Sequence, residues 1–155
     1  MSAFTVTDSS DWSCIPSSVE VLEVRDDCCN DSSITRVDLS RFQELREFVV
    51  GNQCFKYVRV VSISGLRKLE KVTIGNDCFS AKEGNWIDYS PNHSFYLRDC
   101  PFLKELSIGD RSFVEYSTCI IENVPSIRSI ALGGLCYARG WHGCFLWSCI
   151  ELKGR

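Results

Sequence analysis

The residues of this 155-residue chain best suited to proton transfer, nucleophilic attack or metal binding are two histidines and ten cysteines. His142 stands two residues before Cys144, with Cys149 beyond it, which resembles half of a zinc-binding set. A Cys144–His142 pair also has the residue types of a thiolate nucleophile and its base. Neither histidine lies beside a G-x-S-x-G nucleophile motif, and no P-loop, G-x-G-x-x-G or H-E-x-x-H pattern occurs. An enzyme built here, whether a hydrolase or a metal-dependent one, would need His93 and His142 to converge with a carboxylate or a thiol. The sequence therefore reads as a non-enzyme with no catalytic residues, no metal site and no cofactor.

The cysteines follow a repeat. Cys54, Cys78 and Cys136 occupy one slot of Leu45-x-x-Phe48-x-Val50-Gly51-x-x-Cys54-Phe55, Leu69-x-x-Val72-x-Ile74-Gly75-x-x-Cys78-Phe79 and Ile127-x-x-Ile130-x-Leu132-Gly133-x-x-Cys136-Tyr137. A further copy, Leu103-x-x-Leu106-x-Ile108-Gly109-x-x-Ser112-Phe113, has serine in that slot. A fainter one, Val19-x-x-Leu22-x-Val24-x-x-x-Cys28-Cys29, lacks the glycine. The aromatic ends at 55, 79, 113 and 137 are 24, 34 and 24 residues apart, so the unit is 24 with one insertion of ten. Such a period means stacked units, none of which can bury its apolar face alone. At slots shared with core residues, cysteine acts as a small apolar side chain, a reading preferred over disulfides or metal ligation. The glycine slot calls for either crowding or a positive φ.

The second half of each unit is also periodic. Val37-x-Leu39-x-x-Phe42-x-x-Leu45 is echoed from Val61, Phe95 and Cys119, and its alternation predicts short strands with one buried face. A second strand, such as Val72-Thr73-Ile74, follows in each unit. The spacing of three at Leu39, Phe42, Leu45 and Phe48 would also suit a helix, but the β-branched run and Gly51 that follow do not extend one. One short turn of helix between the strands stays open.

Leu103-x-x-Leu106-x-Ile108 followed by Phe113 resembles the leucine-rich repeat signature, and its Ser112-Phe113 ending is most similar to the BspA-like subclass. The likeness covers roughly residues 19–137. It implies a mainly β, leucine-rich-repeat-like solenoid of about five rungs, with parallel strands on two sides and little helix. The family's usual Asn has no counterpart, its place holding Asp27, Gln53, Asp77, Arg111 and Leu135, so other bonding must satisfy the loop backbone.

The chain is expected to form one domain over 1–155. Within it, residues 1–18 cap the array, 19–137 form regular rungs, and 138–155 hold an insertion and a last rung, whole or truncated, with Ile150-Glu-Leu152 as its strand. No apolar run approaches the ~20 residues needed to span a bilayer. Met1-Ser-Ala-Phe-Thr opens without a basic segment or an apolar stretch, which points to a cytoplasmic protein. A net charge of −3 with scattered Lys and Arg argues against nucleic acid.

If each rung adds a strand, one outward column reads Glu23, Val49, Thr73, Ser107, Ala131 and another Val21, Glu47, Lys71, Glu105, Ser129. Neither contains the Trp, Tyr or Arg that anchors interfaces. The insertions are richer. Trp86, Tyr89 and His93 lie in the first, Trp141, His142 and Trp147 in the second, and both fill the same slot of the unit. These six are the expected binding residues, placed on one edge for a protein partner, or folded back in part to cover the rungs. The rival reading is a structural element that self-associates through its C-terminal rung.

Overall fold

The computed structural model describes residues 1–80, 90–114, 116–133 and 149–153, with the backbone alone at 90–92 and 149–153, and the chain is mainly β. Its strands are β1 (Ala3–Val6), β2 (Val21–Val24), β3 (Arg36–Asp38), β4 (Glu47–Val50), β5 (Val60–Ser64) and β6 (Lys71–Ile74). They continue as β7 (Ser90–Arg98), β8 (Glu105–Ile108), β9 (Tyr116–Glu122), β10 (Ser129–Leu132) and β11 (Cys149–Lys153). From β2 onward, successive strands alternate between two parallel sheets, ordered β1-β2-β4-β6-β8-β10 and β3-β5-β7-β9-β11.

The repeat sets the register. Leu22, Phe48, Val72, Leu106 and Ile130 stand side by side in the first sheet. Val37, Val61, Phe95, Cys119 and Ile150 do so in the second. Alternate residues of both sheets point inward: Phe48, Val72, Val61, Phe95 and Leu97 are fully buried. Equivalent residues of successive copies therefore adjoin within each sheet.

Between the sheets the chain turns without forming a helix. Phe42 N–H donates to Leu39 O, and Leu45 N–H to Phe42 O, both at 3.0 Å. Two consecutive turns of this kind bring residues three apart onto one side, which accounts for the helix-like spacing. The short 3₁₀ helix Ser9–Cys14 is the one helix among the described residues, capped by Asp8, whose carboxylate accepts from Ser10 N and Asp11 N. No helix of the described residues is long and apolar enough to cross a membrane.

The opposite bends carry two left-handed residues per copy: Asp27 and Cys29, Gln53 and Phe55, Asp77 and Phe79, Arg111 and Phe113. Such a conformation costs an L residue about 1–2 kcal/mol. It is held by hydrogen bonds to both neighbouring copies, since Asp77 N–H donates forward to Asp110 O and Phe79 N–H back to Cys54 O, each at 2.9 Å. The same geometry stacks the rings, with Phe55 and Phe79 at 4.9 Å and Phe79 and Phe113 at 4.6 Å between centroids. Tyr137, the fourth expected member of this stack, lies outside the described residues. Cys29, in the ring slot of the first copy, brings no ring. Trp12 supplies one, standing edge-on to Phe55 at 5.0 Å.

Three expectations are resolved by this geometry. Gly75 is required by crowding and not by a positive φ, because a Cβ there would meet Gly51 O at 2.7 Å. Residues 1–18 contribute more than a cap: β1 is a strand of the first sheet, paired in register with β2. The bonding that satisfies the bends is a ladder of side-chain acceptors one position before Asp27, Gln53, Asp77 and Arg111. Asp26 Oδ1 accepts from Asn52 N, Asn52 Oδ1 from Asn76 N, and Asn76 Oδ1 from Asp110 N, all at 2.8 Å.

Candidate interaction surface

The cysteines are tied into the same bends. Cys54 Sγ donates to Arg25 O at 3.0 Å and Cys78 Sγ to Gly51 O at 2.9 Å, while Ser112 Oγ donates to Gly75 O at 2.7 Å. Ser112 Oγ also accepts from Cys78 N at 3.0 Å. Serine and cysteine share this slot because both place a small donor on the carbonyl of the preceding copy. Burial pushes the Cys29 and Cys119 thiols up to about 12, and raises those of Cys28 and Cys100. The Cys54 and Cys78 side chains shift in opposite directions: their mutual interaction raises Cys78, with burial adding to the rise, and lowers Cys54. Thiols that keep their protons make poor nucleophiles and poor metal ligands at neutral pH. Cys14 is exposed, whereas Cys136, Cys144 and the side chain of Cys149 lie outside the described residues.

Of the six expected binding residues, Trp86, Tyr89, Trp141, His142 and Trp147 lie outside the described residues. His93 does not stand on a loop. It belongs to β7, half-buried, with its ring edge-on to Tyr116 at 5.3 Å. Tyr116 is itself buried and donates its hydroxyl to Val58 O at 2.7 Å. β7 begins as early as Ser90, pairs there with Tyr116, and shifts register before Ser94, so the end of the first insertion joins the sheet. His93 is placed to pack against that sheet.

The strands that follow the two insertions are close. β7 and β11 flank β9, with Ser94 and Cys149 both beside Thr118. Two strand spacings separate them, about 10 Å. The outer face they share is composed differently from that of the first sheet. Tyr96 lies between Ser62 and Ile120, and Arg98 between Ser64 and Glu122. The Arg98 guanidinium sits 4.8 Å above the Tyr96 ring. That contact fixes a long cation over an aromatic face, reducing the rotamer freedom each would lose in a complex. Tyr and Arg are the residue types that most often carry binding energy.

No family model, curated protein or solved structure matches this chain. The functional reading therefore rests on surface chemistry.

On the first sheet the outward columns hold small or charged residues, with Glu47, Lys71 and Glu105 on neighbouring strands. Along its entrance Arg46 bridges Glu20 and Glu70 at 3.5 Å each, and Lys104 reaches Glu70 at 3.7 Å. Exposed pairs of this kind add at most ~1 kcal/mol and leave the face solvated. The Tyr96–Arg98 pair was readable in Phe95-Tyr96-Leu97-Arg98: if Phe95 and Leu97 face in, Tyr96 and Arg98 face out.

Proposed function

We propose that the chain is a leucine-rich-repeat-like solenoid, closest in style to the BspA-like subclass, and acts as a non-enzymatic protein-interaction module. Its partner is a protein, engaged by the outer face of the second sheet around Tyr96, Arg98 and Ile120. Trp86, Tyr89, Trp141, His142 and Trp147 of the adjoining insertions extend that contact. The observation that carries this reading is Tyr96 held beneath Arg98 on β7, the strand that follows the first insertion, two strands from β11, which follows the second. The hydrogen-bonded bends support a scaffold over a reaction centre, and the raised thiols of Cys29 and Cys119 argue against thiol chemistry at those positions. Neither nucleic acid nor a membrane is the expected partner, and the proposed location is the cytoplasm.

The test is affinity purification with the wild type and with a folded Tyr96→Ala/Arg98→Ala variant. A protein retained by the wild type and lost by the variant supports the face. Identical recovery on both refutes it.

One feature favours a self-associating element instead. Leu132, on β10 at the end of the first sheet among the described residues, is 36% exposed, whereas Ile108 beside it is 2% exposed. Light scattering of the wild type and of Leu132→Lys across concentration decides this second reading, which requires an assembly that the substitution dissolves.

A further inference from the structure

The far ends of the same strands carry a second surface, where the turns lead from the second sheet back to the first. Arg46, Glu70, Lys104 and Arg128 follow Glu20 in a column, each N–H donating to the carbonyl of the one before. Their charges alternate as far as Lys104 and then fail, because Arg128 adds a second cation beside the first. Like charges on adjacent strands oppose each other. In the neighbouring column Glu44 pairs with Lys68, and the next position holds Phe102, which is 58% exposed. A groove of about 270 Å³ runs between the columns, lined by Arg46, Arg67, Lys68, Glu70, Phe102 and Lys104. Of its four cations, Arg46, Lys68 and Lys104 are paired with Glu20, Glu44 and Glu70, which leaves Arg67 as the unmatched charge of the lining. Arg67 makes no side-chain hydrogen bond or ion pair among the described residues, and neither does Arg128.

We infer that this groove binds an acidic peptide segment of a partner protein, one with an aromatic or large aliphatic residue among its carboxylates. Phe102 offers that residue an apolar contact, and burying it would remove an exposed ring from water. Carboxylates on either side would meet Arg67 and the Lys104–Arg128 pair, completing the charge alternation that the chain leaves open. A short peptide suits the site better than a nucleic acid. The cationic stretch is brief, and the acidic remainder of the surface repels a long polyanion. The groove uses none of Tyr96, Arg98 or Ile120, so its test is separate from that of the surface proposed above.

The experiment is fluorescence anisotropy with a labelled peptide of glutamates bearing a central phenylalanine. Controls are the same peptide with alanine at the centre, a lysine counterpart and a thymidine oligomer. Phe102→Ala and Arg67→Glu/Arg128→Glu change exposed side chains, and an unchanged urea midpoint verifies their fold. The acidic phenylalanine peptide is expected to bind at low salt and to weaken at least about tenfold in either variant and at high salt. Loss of the central ring should weaken it as Phe102→Ala does. The inference is overturned by absence of binding at low salt, by binding indifferent to both variants, or by tighter binding of the oligonucleotide. It is equally overturned if the wild type self-associates and the same variants abolish that assembly, which would make a second copy the occupant.

Discussion

The side-chain oxygen of Asn52 accepts the backbone N–H of Asn76 at 2.8 Å, and Asn76 repeats the gesture towards Asp110. With Asp26 below them, these residues form a ladder immediately after the glycine slot. Each link satisfies an amide that a tight bend would otherwise turn towards solvent or leave unpaired. Asn76→Ala should therefore cost about 1 kcal/mol, the net worth of an ordinary hydrogen bond. Asn76→Asp keeps the acceptor and should cost less. Urea denaturation of both variants checks the order; equal losses would mean the ladder contributes nothing.

The shared donor of the cysteine slot predicts a second contrast. Cys78→Ser preserves a hydrogen-bonding side chain of nearly the same size, as Ser112 does one copy later. It should stay within about 1 kcal/mol of the wild type, whereas Cys78→Ala leaves the Gly51 carbonyl without this donor and should cost roughly 1–3 kcal/mol. Thermal denaturation under reducing conditions separates the two. Alanine tolerated as well as serine would return the thiol to the role of a mere core filler.

Much of this architecture was legible in the residues. The alternation at Val61 and Ile63, and its echoes at Phe95, Cys119 and Ile150, fixed the second sheet's register down to its last strand. Three features escaped for identifiable reasons. β1 stands outside the repeat, and its pairing with β2 spans 18 residues, so no local pattern announces it. The Asx ladder lies one residue before the slot of Asp27, Gln53, Asp77 and Arg111, at Asp26, Asn52, Asn76 and Asp110, and mixed Asp and Asn disguise it as a repeat position. His93 looked like loop because it sits in the insertion, yet the shifted register between Ser90 and Ser94 draws it into β7. Tyr96 and Arg98 follow from the alternation that buries Phe95 and Leu97, which turns the residues between them outward.

The phenylalanine stack should dominate core stability. Phe79 is buried between Phe55 and Phe113, within 5 Å of each centroid. Phe79→Ala removes both contacts and leaves a cavity, at a cost of about 3–5 kcal/mol. Chemical denaturation measures it. A loss below about 1 kcal/mol would contradict the stack's role.

Buried thiols also predict a sensitivity to base. Cys29 and Cys119 are pushed up to about 12 by burial, whereas an unfolded thiol ionises near 8.5. The unfolded chain then releases protons that the native one retains. Stability is fully present below that unfolded value and is lost as pH rises towards the folded one. At pH 10 each of the two should remove roughly 1–2 kcal/mol. Urea midpoints at pH 7.5 and pH 10, with a phosphine reductant, test this; unchanged midpoints would mean that these thiols ionise equally easily folded and unfolded.

The central claim is that recognition runs through the Tyr96–Arg98 face. Its most direct test is the dissociation constant of the isolated partner, measured by calorimetry for the wild type and for Tyr96→Ala/Arg98→Ala of verified fold. Truncating two anchors of this type commonly costs 2 kcal/mol or more, so binding should weaken by at least about thirtyfold. An unchanged constant in the folded variant would contradict the account.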